Sequence, residues 1–226
     1  MIRKIIKKII DMFIPKFEVS FRTFVRAQEL YLAYTFACAM LAFAFAIILK
    51  MFNPSMTLNN LPFKNTFGEM NKLQEINVLA RNGEILGSAY LIFLVNFRNA
   101  LIRAMLAPVI LGIGYHGISV FMNLSFVLAA FMSLPSSIAS ELAPHGAIIG
   151  FLEFISYSSI TASFWYAGSA IIRHKGERLR VLRTVTPWVL LAVAAFAVLL
   201  FFSALYEALV LYWEINHILP KVVSNV

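Results

Sequence analysis

The chain has 226 residues, 61% of them hydrophobic and only 13% charged, with a mean hydropathy of +0.81; an ordinary soluble domain is less apolar and about a quarter charged. The length allows one compact bundle and excludes two membrane domains plus a globular one. A net charge of +8 would point to nucleic acid in a soluble protein. Beside this hydropathy it places Lys and Arg at helix ends against anionic lipid, and no nucleic-acid partner is expected.

Residues 1–30 read as a cytoplasmic basic leader. Ile2, Ile5, Ile6, Ile9, Ile10 and Phe13 recur at helical spacing, while Arg3, Lys4, Lys7 and Lys8 take the other side. That pattern predicts a basic amphipathic helix lying in a membrane surface. Lys4, Lys7 and Lys8 are its expected contacts with anionic headgroups. Pro15 ends it, and Lys16–Glu29 continues as a helix leading into the bilayer. No cleavable signal peptide is visible, so the first apolar run reads as an uncleaved anchor.

A membrane domain follows over 31–213. A hydrocarbon core roughly 30 Å thick takes about 20 apolar residues of helix to cross. Lipid leaves each crossing to satisfy its own backbone, so the crossings must be helices. Five are predicted, near Tyr31–Met51, Ile85–Met105, Pro108–Met132, Pro144–Ile172 and Pro187–Trp213. The fourth is long for a bilayer and should tilt, kink or protrude. Asn53-Pro54 breaks the first, and 53–84 is the only sizeable extramembrane loop. Residues 214–226 form a short tail. The expected fold is all-α: a polytopic membrane bundle of about five transmembrane helices behind a basic amphipathic helix.

Basic residues orient it. With the N-terminus inside, the inner face receives seven from residues 1–30, Arg98 and Arg103, and the five of Arg173–Arg183. The outer face receives Lys50, Lys64, Lys72, Arg81 and Lys221. The bias predicts a multi-pass cell-membrane protein with a cytoplasmic N-terminus and an extracytoplasmic C-terminus; loop 53–84 is then extracytoplasmic too.

Polar residues within the crossings fall into stripes. Asn96, Asn99 and Arg103 share one face of the second helix, with Arg98 beside them. His116, Ser119 and Asn123 repeat the spacing on the third. Glu153, Ser156 and Ser163 lie along the fourth, and Ser203, Glu207 and Glu214 along the fifth. Such residues are costly in lipid and face the bundle interior with partners, so a polar seam is expected. Glu153 should pair with Arg98 or be held by Asn96 and Asn99. The bland reading is an interhelical lock; the functional one is a cation or proton path.

Metal and enzyme signals are weak. Cys38 is the single cysteine, which rules out an intrachain disulfide and a thiolate metal site. His116 and His145 are 29 residues apart with no HExxH arrangement, so no metal is expected. No nucleophile–base pair, phosphate loop or cofactor motif is visible, so no catalytic residues and no cofactor are assigned. Gly112, Gly114 and Gly117 crowd the third helix, and Gly146 and Gly150 form GxxxG on the fourth. These let helix backbones approach closely. Internal packing is the expected use, with a homo-oligomer face as the alternative. Pro144 suits the first turn of a helix; His145 would then sit at the membrane surface, bonded to a loop or to Glu141, and Gly146 would form a packing notch.

The run from Val95 to Glu153 reads VNFRNALIRAM, then GIGYHGISVFMNLSFVLAAF, then LAPHGAIIGFLEF. It resembles the stage II sporulation protein M family of integral membrane proteins. That family has an asparagine-rich opening to its second helix, a glycine-rich turn followed by an asparagine, and a Pro-His-Gly motif with a nearby Glu. Asn96 and Asn99 match the first, Asn123 the second, and Pro144, His145, Gly146 and Glu153 the third. Ile149 holds the place where the family's Glu usually stands, and Glu153 comes one turn later. The resemblance implies a non-enzymatic scaffold that recruits other membrane or envelope proteins into an envelope complex. The alternatives are a channel, transporter or permease subunit using the polar seam, and a membrane-embedded hydrolase using His145 and Glu153.

Overall fold

The computed structural model describes residues 18–53, 70–107 and 110–218. Residues 1–17 of the leader, with Lys4, Lys7 and Lys8, lie outside the described residues, as do 54–69 of the loop and 219–226 of the tail. Among the described residues the chain is helical throughout. The elements are α1 (Phe21–Phe52), α2 (Met70–Arg81), α3 (Ile85–Leu106), α4 (Ile110–Phe131), α5 (Ser136–Arg173) and α6 (Arg178–Trp213), the last running on as a π-helical turn over Glu214–Ile218.

Four spans are long and apolar enough to cross a membrane: α1, α3, α5, and α6 with its π-turn. The α4 helix is apolar as well, over Ile113–Ala129 among the described residues. At 1.5 Å per residue, the 22 residues of α4 still reach about 33 Å, close to the thickness of the hydrocarbon core. The 38 residues of α5 reach about 57 Å and must tilt in the bilayer or protrude from it. The surface has the composition lipid demands. Phe36 is 64% exposed, Met51 76% and Leu86 71%, while Thr35, His116, Ser156 and Ser203 are buried. In water such an exterior would be an association surface; in lipid the apolar residues are the solvated ones and polar groups retreat inward. The chain is an all-α bundle of membrane-crossing type.

Helix ends fall where local chemistry puts them, and several differ from expectation. Ser20 caps α1: its Oγ accepts from the Thr23 N–H at 3.3 Å and its carbonyl from the Phe24 N–H at 3.0 Å. Phe21–Leu30, expected in the leader, is therefore the opening of the first crossing helix. Pro144 is not in the first turn of its helix but inside α5. That helix starts earlier, at Ser136 behind Pro135, where the Ala139 N–H reaches the Pro135 carbonyl at 2.9 Å. Pro144 cannot donate to the carbonyl of Ser140. Ser140, Glu141 and Pro144 are all exposed, so that carbonyl can be solvated and the helix continues. Pro187 is likewise inside α6, which begins at Arg178. Between α2 and α3 the chain turns at Gly83, whose φ is 77°. The Glu84 N–H bonds the Leu79 carbonyl and the Gly83 N–H the Ala80 carbonyl. This Schellman turn needs a left-handed residue at that position, and glycine supplies it without a Cβ clash.

The chain packs as two units. The first comprises, of the described residues, 18–39, 99–107, 110–121 and 155–197. Its core joins Phe24, Ala27 and Tyr31 of α1 to Ile113, Trp165, Tyr166, Val181 and Val185. Phe24 meets Tyr166 edge-on at 5.4 Å. The segment of α5 from Ser156 to Ser163 is buried on all sides. Its hydroxyls turn back on their own helix: Thr161 donates to the Tyr157 carbonyl at 2.6 Å and Ser163 to that of Ser159 at 2.8 Å.

The second unit comprises 40–53, 70–98, 122–154 and 198–218 of the described residues. Ile76 of α2 packs with Ala89 and Ile92 of α3 and with Ala204 and Ala208 of α6. A smaller cluster joins Ala46 to Ala129. Apolar burial from water does not drive helices together in lipid; close packing does. Alanine provides much of it, since Ala27, Ala89, Ala162, Ala204 and Ala208 are fully buried.

Among the glycines, only some act as expected. A Cβ on Gly117 would lie 2.0 Å from the Tyr34 hydroxyl oxygen, so that glycine is a true notch. A Cβ on Gly114, Gly146 or Gly150 would meet nothing within 4 Å. The GxxxG of α5 is therefore not used for packing within the described part of the chain, and Gly146 is no packing notch.

Candidate functional site

Four helices of the second unit converge on a cavity of about 190 Å³ with both apolar and polar walls. The Schellman turn folds α2 back toward α3. The staple of Ile76 against Ala89 and Ile92 then fixes the α2 face that carries Lys72, one turn before Ile76. Ile92, Val95 and Asn96 stand three and four residues apart on one face of α3 and line the same space. Glu153 enters from α5 and Glu207 from α6. Glu207 is the only charged residue in the 26-residue run Trp188–Trp213. It sits between Ala204 and Ala208, whose small side chains admit α2 and α3 and bring the carboxyl to the cavity.

Two of the expected seam residues are joined here. The Asn96 side-chain amide donates from Nδ2 to Glu153 Oε1. Glu207 differs: its Oε2 is buried and has no hydrogen-bond partner among the described residues. A buried carboxylate oxygen without a partner is costly, and native structures rarely leave one so. The lining therefore offers carboxylate oxygens and an amide to a positively charged or proton-bearing guest. A water takes about 30 Å³ of liquid, so the cavity has room for a small ion with a few waters.

Other seam residues go elsewhere. His145 stays in the second unit with its Nδ1 2.6 Å from the Tyr206 hydroxyl and its ring 5.7 Å from that of Trp213. It bonds neither a loop nor Glu141 as the expectation had it, because α5 starts two turns earlier and carries His145 alongside α6. His145 and Glu153 share α5 at a spacing of eight, about 12 Å of axial rise. Pro144, Gly146, Arg98 and Asn123 are exposed.

Asn99, Arg103 and His116 belong to the first unit. There His116 is fully buried, its Nε2 3.0 Å from the Thr35 hydroxyl and its ring 5.2 Å from that of Tyr31. Arg103 lies 4.9 Å over the ring of Tyr157, a cation–π contact that offsets some of the cost of its burial. The Gln28 amide donates to Ser163 at 2.8 Å. Among the described residues no three His, Cys, Asp or Glu side chains cluster as a metal site would require.

Glu207 was read in the polar stripe of the fifth crossing, whereas Lys72 was not among the candidate residues. Glu207 carried a readable signal, a lone acid in an otherwise uncharged apolar run. Lys72 carried none, since only the fold of α2 brings it to the cavity. No protein-family model matches this chain, and neither a curated protein nor a solved structure matches it.

Proposed function

We propose that the chain is a non-enzymatic integral membrane protein that handles a positively charged species at the Asn96–Glu153–Glu207 cavity, as a channel, transporter or permease subunit does. One observation carries the reading: the buried, unpartnered Oε2 of Glu207 in a cavity that Glu153 also lines. Ionisable groups inside membrane bundles most often mark an ion, proton or substrate path. A purely structural carboxyl would be expected to have its oxygens satisfied, as Asn96 satisfies Oε1 of Glu153. In the orientation favoured by the basic residues, loop 53–84 is extracytoplasmic and the cavity is loaded from that side.

The test is uptake into vesicles containing the purified protein, followed with radiolabelled sodium or rubidium and, separately, with a trapped pH-sensitive dye. The reading expects uptake of at least one of these cations above protein-free vesicles. Glu207→Gln should return it to the protein-free level while leaving helix content and detergent-solubilised mass unchanged. Vesicles as tight as empty ones to every cation tested contradict it.

A second reading has its own support. The unpacked face carrying Gly146 and Gly150 offers backbone to another helix. Together with the resemblance to the stage II sporulation protein M family, it supports a scaffold that assembles with a second copy or with other envelope proteins in the cell membrane. That reading expects co-purifying chains to survive Glu153→Gln and to be lost when Gly146 and Gly150 are both changed to Leu. Retention of every partner by the double variant counts against it.

A further inference from the structure

We infer that the species handled at this cavity is a proton, and that Glu214 and His145 relay it between the π-turn end of α6 and Glu207. The inference rests on the cation-handling reading and adds the identity of the guest and the route it takes.

The route is laid out along α6. Glu207 and Glu214 stand seven residues apart, two turns along one face and about 10.5 Å of axial rise. His145 of α5 spans that interval. Its Nδ1 is 2.6 Å from the hydroxyl of Tyr206, the neighbour of Glu207, and its ring is 5.7 Å from that of Trp213, the neighbour of Glu214. Glu207 feels the charge of Glu214, and Glu214 that of His145. Glu214 also opens the π-helical turn, and such turns recur at functional sites. Near its end His217 is exposed, with its ring stacked on that of Trp213 at 6.1 Å. An exposed histidine, a half-buried acid, a bonded histidine and a buried acid oxygen thus lead from the exposed end of α6 to the cavity.

The chemistry suits a proton. A metal ion held by oxygens needs several ligands converging on one point, and among the described residues no three His, Cys, Asp or Glu side chains do so. A proton needs a single oxygen or nitrogen at a time. The bond to Tyr206 occupies one ring nitrogen of His145 and leaves the other for a transferable proton. The buried Oε2 of Glu207, which has no hydrogen-bond partner among the described residues, supplies the lone pair that receives it. Each step breaks one O–H or N–H bond and forms another. A proton leaves the Glu214 carboxyl for the His145 nitrogen, passes to the Glu207 carboxylate and departs to water in the cavity. One proton enters and one leaves, so no other reactant is consumed. The remaining charged groups around Glu207 are Lys72 of α2 and Glu153 of α5, beside the neutral Asn96 of α3. They bound the cavity end of the route, and no step uses them.

The experiment places the full purified chain in vesicles and imposes a pH step across the membrane, with the potential clamped by potassium and valinomycin. Proton entry is read with a trapped pH-sensitive dye, and sodium and rubidium entry with radiolabel. The native chain should admit protons above the protein-free level and admit neither sodium nor rubidium. Glu207→Gln should fall to the protein-free level. Glu214→Gln and His145→Gln should each slow proton entry by roughly 100-fold, the low end of what a positioned proton-transfer group contributes. Glu214→Asp should recover much of that loss because it keeps the proton site, whereas a packing role would be served equally by Gln. Should Glu207→Gln fail to fold, the Glu214 and His145 variants decide alone. The inference is overturned by a native chain that admits sodium or rubidium, by proton entry at the native rate in Glu214→Gln or His145→Gln, or by Glu214→Asp as slow as Glu214→Gln. Each of these outcomes leaves the transport reading intact. Vesicles tight to protons, sodium and rubidium alike contradict that reading itself.

Discussion

Single residues decide where these helices touch. Gly117 and Gly146 look alike in the sequence, each a glycine in an apolar helix near other glycines. The fold separates them. The Tyr34 hydroxyl donates to the Ile113 carbonyl at 3.0 Å and occupies the space a Cβ on Gly117 would need. Gly117→Ala must push the tyrosine ring aside and break that bond, at a cost of about 1–3 kcal/mol. Gly146→Ala meets open space and, as the better helix former, should stabilise by up to about 1 kcal/mol. Thermal unfolding of the two variants in one detergent checks the pair, and equal unfolding temperatures would contradict the assignment. What the sequence could not provide was the identity of the neighbour, because Tyr34 is 83 residues away on another helix. The same limit hid Lys72 from the candidate site. It did not hide Asn96 and Glu153, whose polarity in an apolar helix demands a partner wherever they fold.

At the scale of elements, the crossings were legible and their starts were not. Hydropathy marks the stretch that must sit in lipid, but the helix continues beyond it as long as the backbone has partners. Proline misled twice for this reason. Pro144 and Pro187 sit at the apolar boundaries yet inside α5 and α6. Restoring the missing N–H in Pro144→Ala should let position 144 bond the Ser140 carbonyl and stabilise α5 by about 1–3 kcal/mol. A fall in unfolding temperature would show that the proline is needed where it is. Gly83 makes the opposite prediction. At a φ of 77° an alanine is strained, so Gly83→Ala should cost about 1 kcal/mol. It should also loosen α2 from α3, read as faster proteolysis after Arg81. The α2 helix was visible in the sequence only as some helical periodicity in a loop. Its docking through Ile76 gives it a role at the cavity.

For the molecule as a whole, a polar interior inside an apolar exterior ties the fold to the function. Composition alone pointed to that inversion, and the burial of Thr35, His116 and Ser203 beneath exposed Phe36 and Met51 is its structural form. The part of the seam read from sequence resolves into distinct settings: a cavity with two acids in the second unit, and a histidine bonded to a threonine in the first. A seam drawn from spacing alone could not divide them, since helical periodicity gives the face of a residue and not its partner. The number of crossings decides the rest. Lys72 precedes α3, and Arg178 follows α5. If α4 crosses with its 22 residues, three crossings separate the two positions and they lie on opposite sides of the membrane. If α4 fails to cross, they lie on the same side. The direct measurement replaces Cys38 by Ala, introduces a single cysteine in place of Lys72 or of Arg178, and labels intact cells with a membrane-impermeant thiol reagent. The account predicts labelling from outside for position 72 and, for position 178, only after the cells are opened. Labelling of both positions from the same side would contradict it.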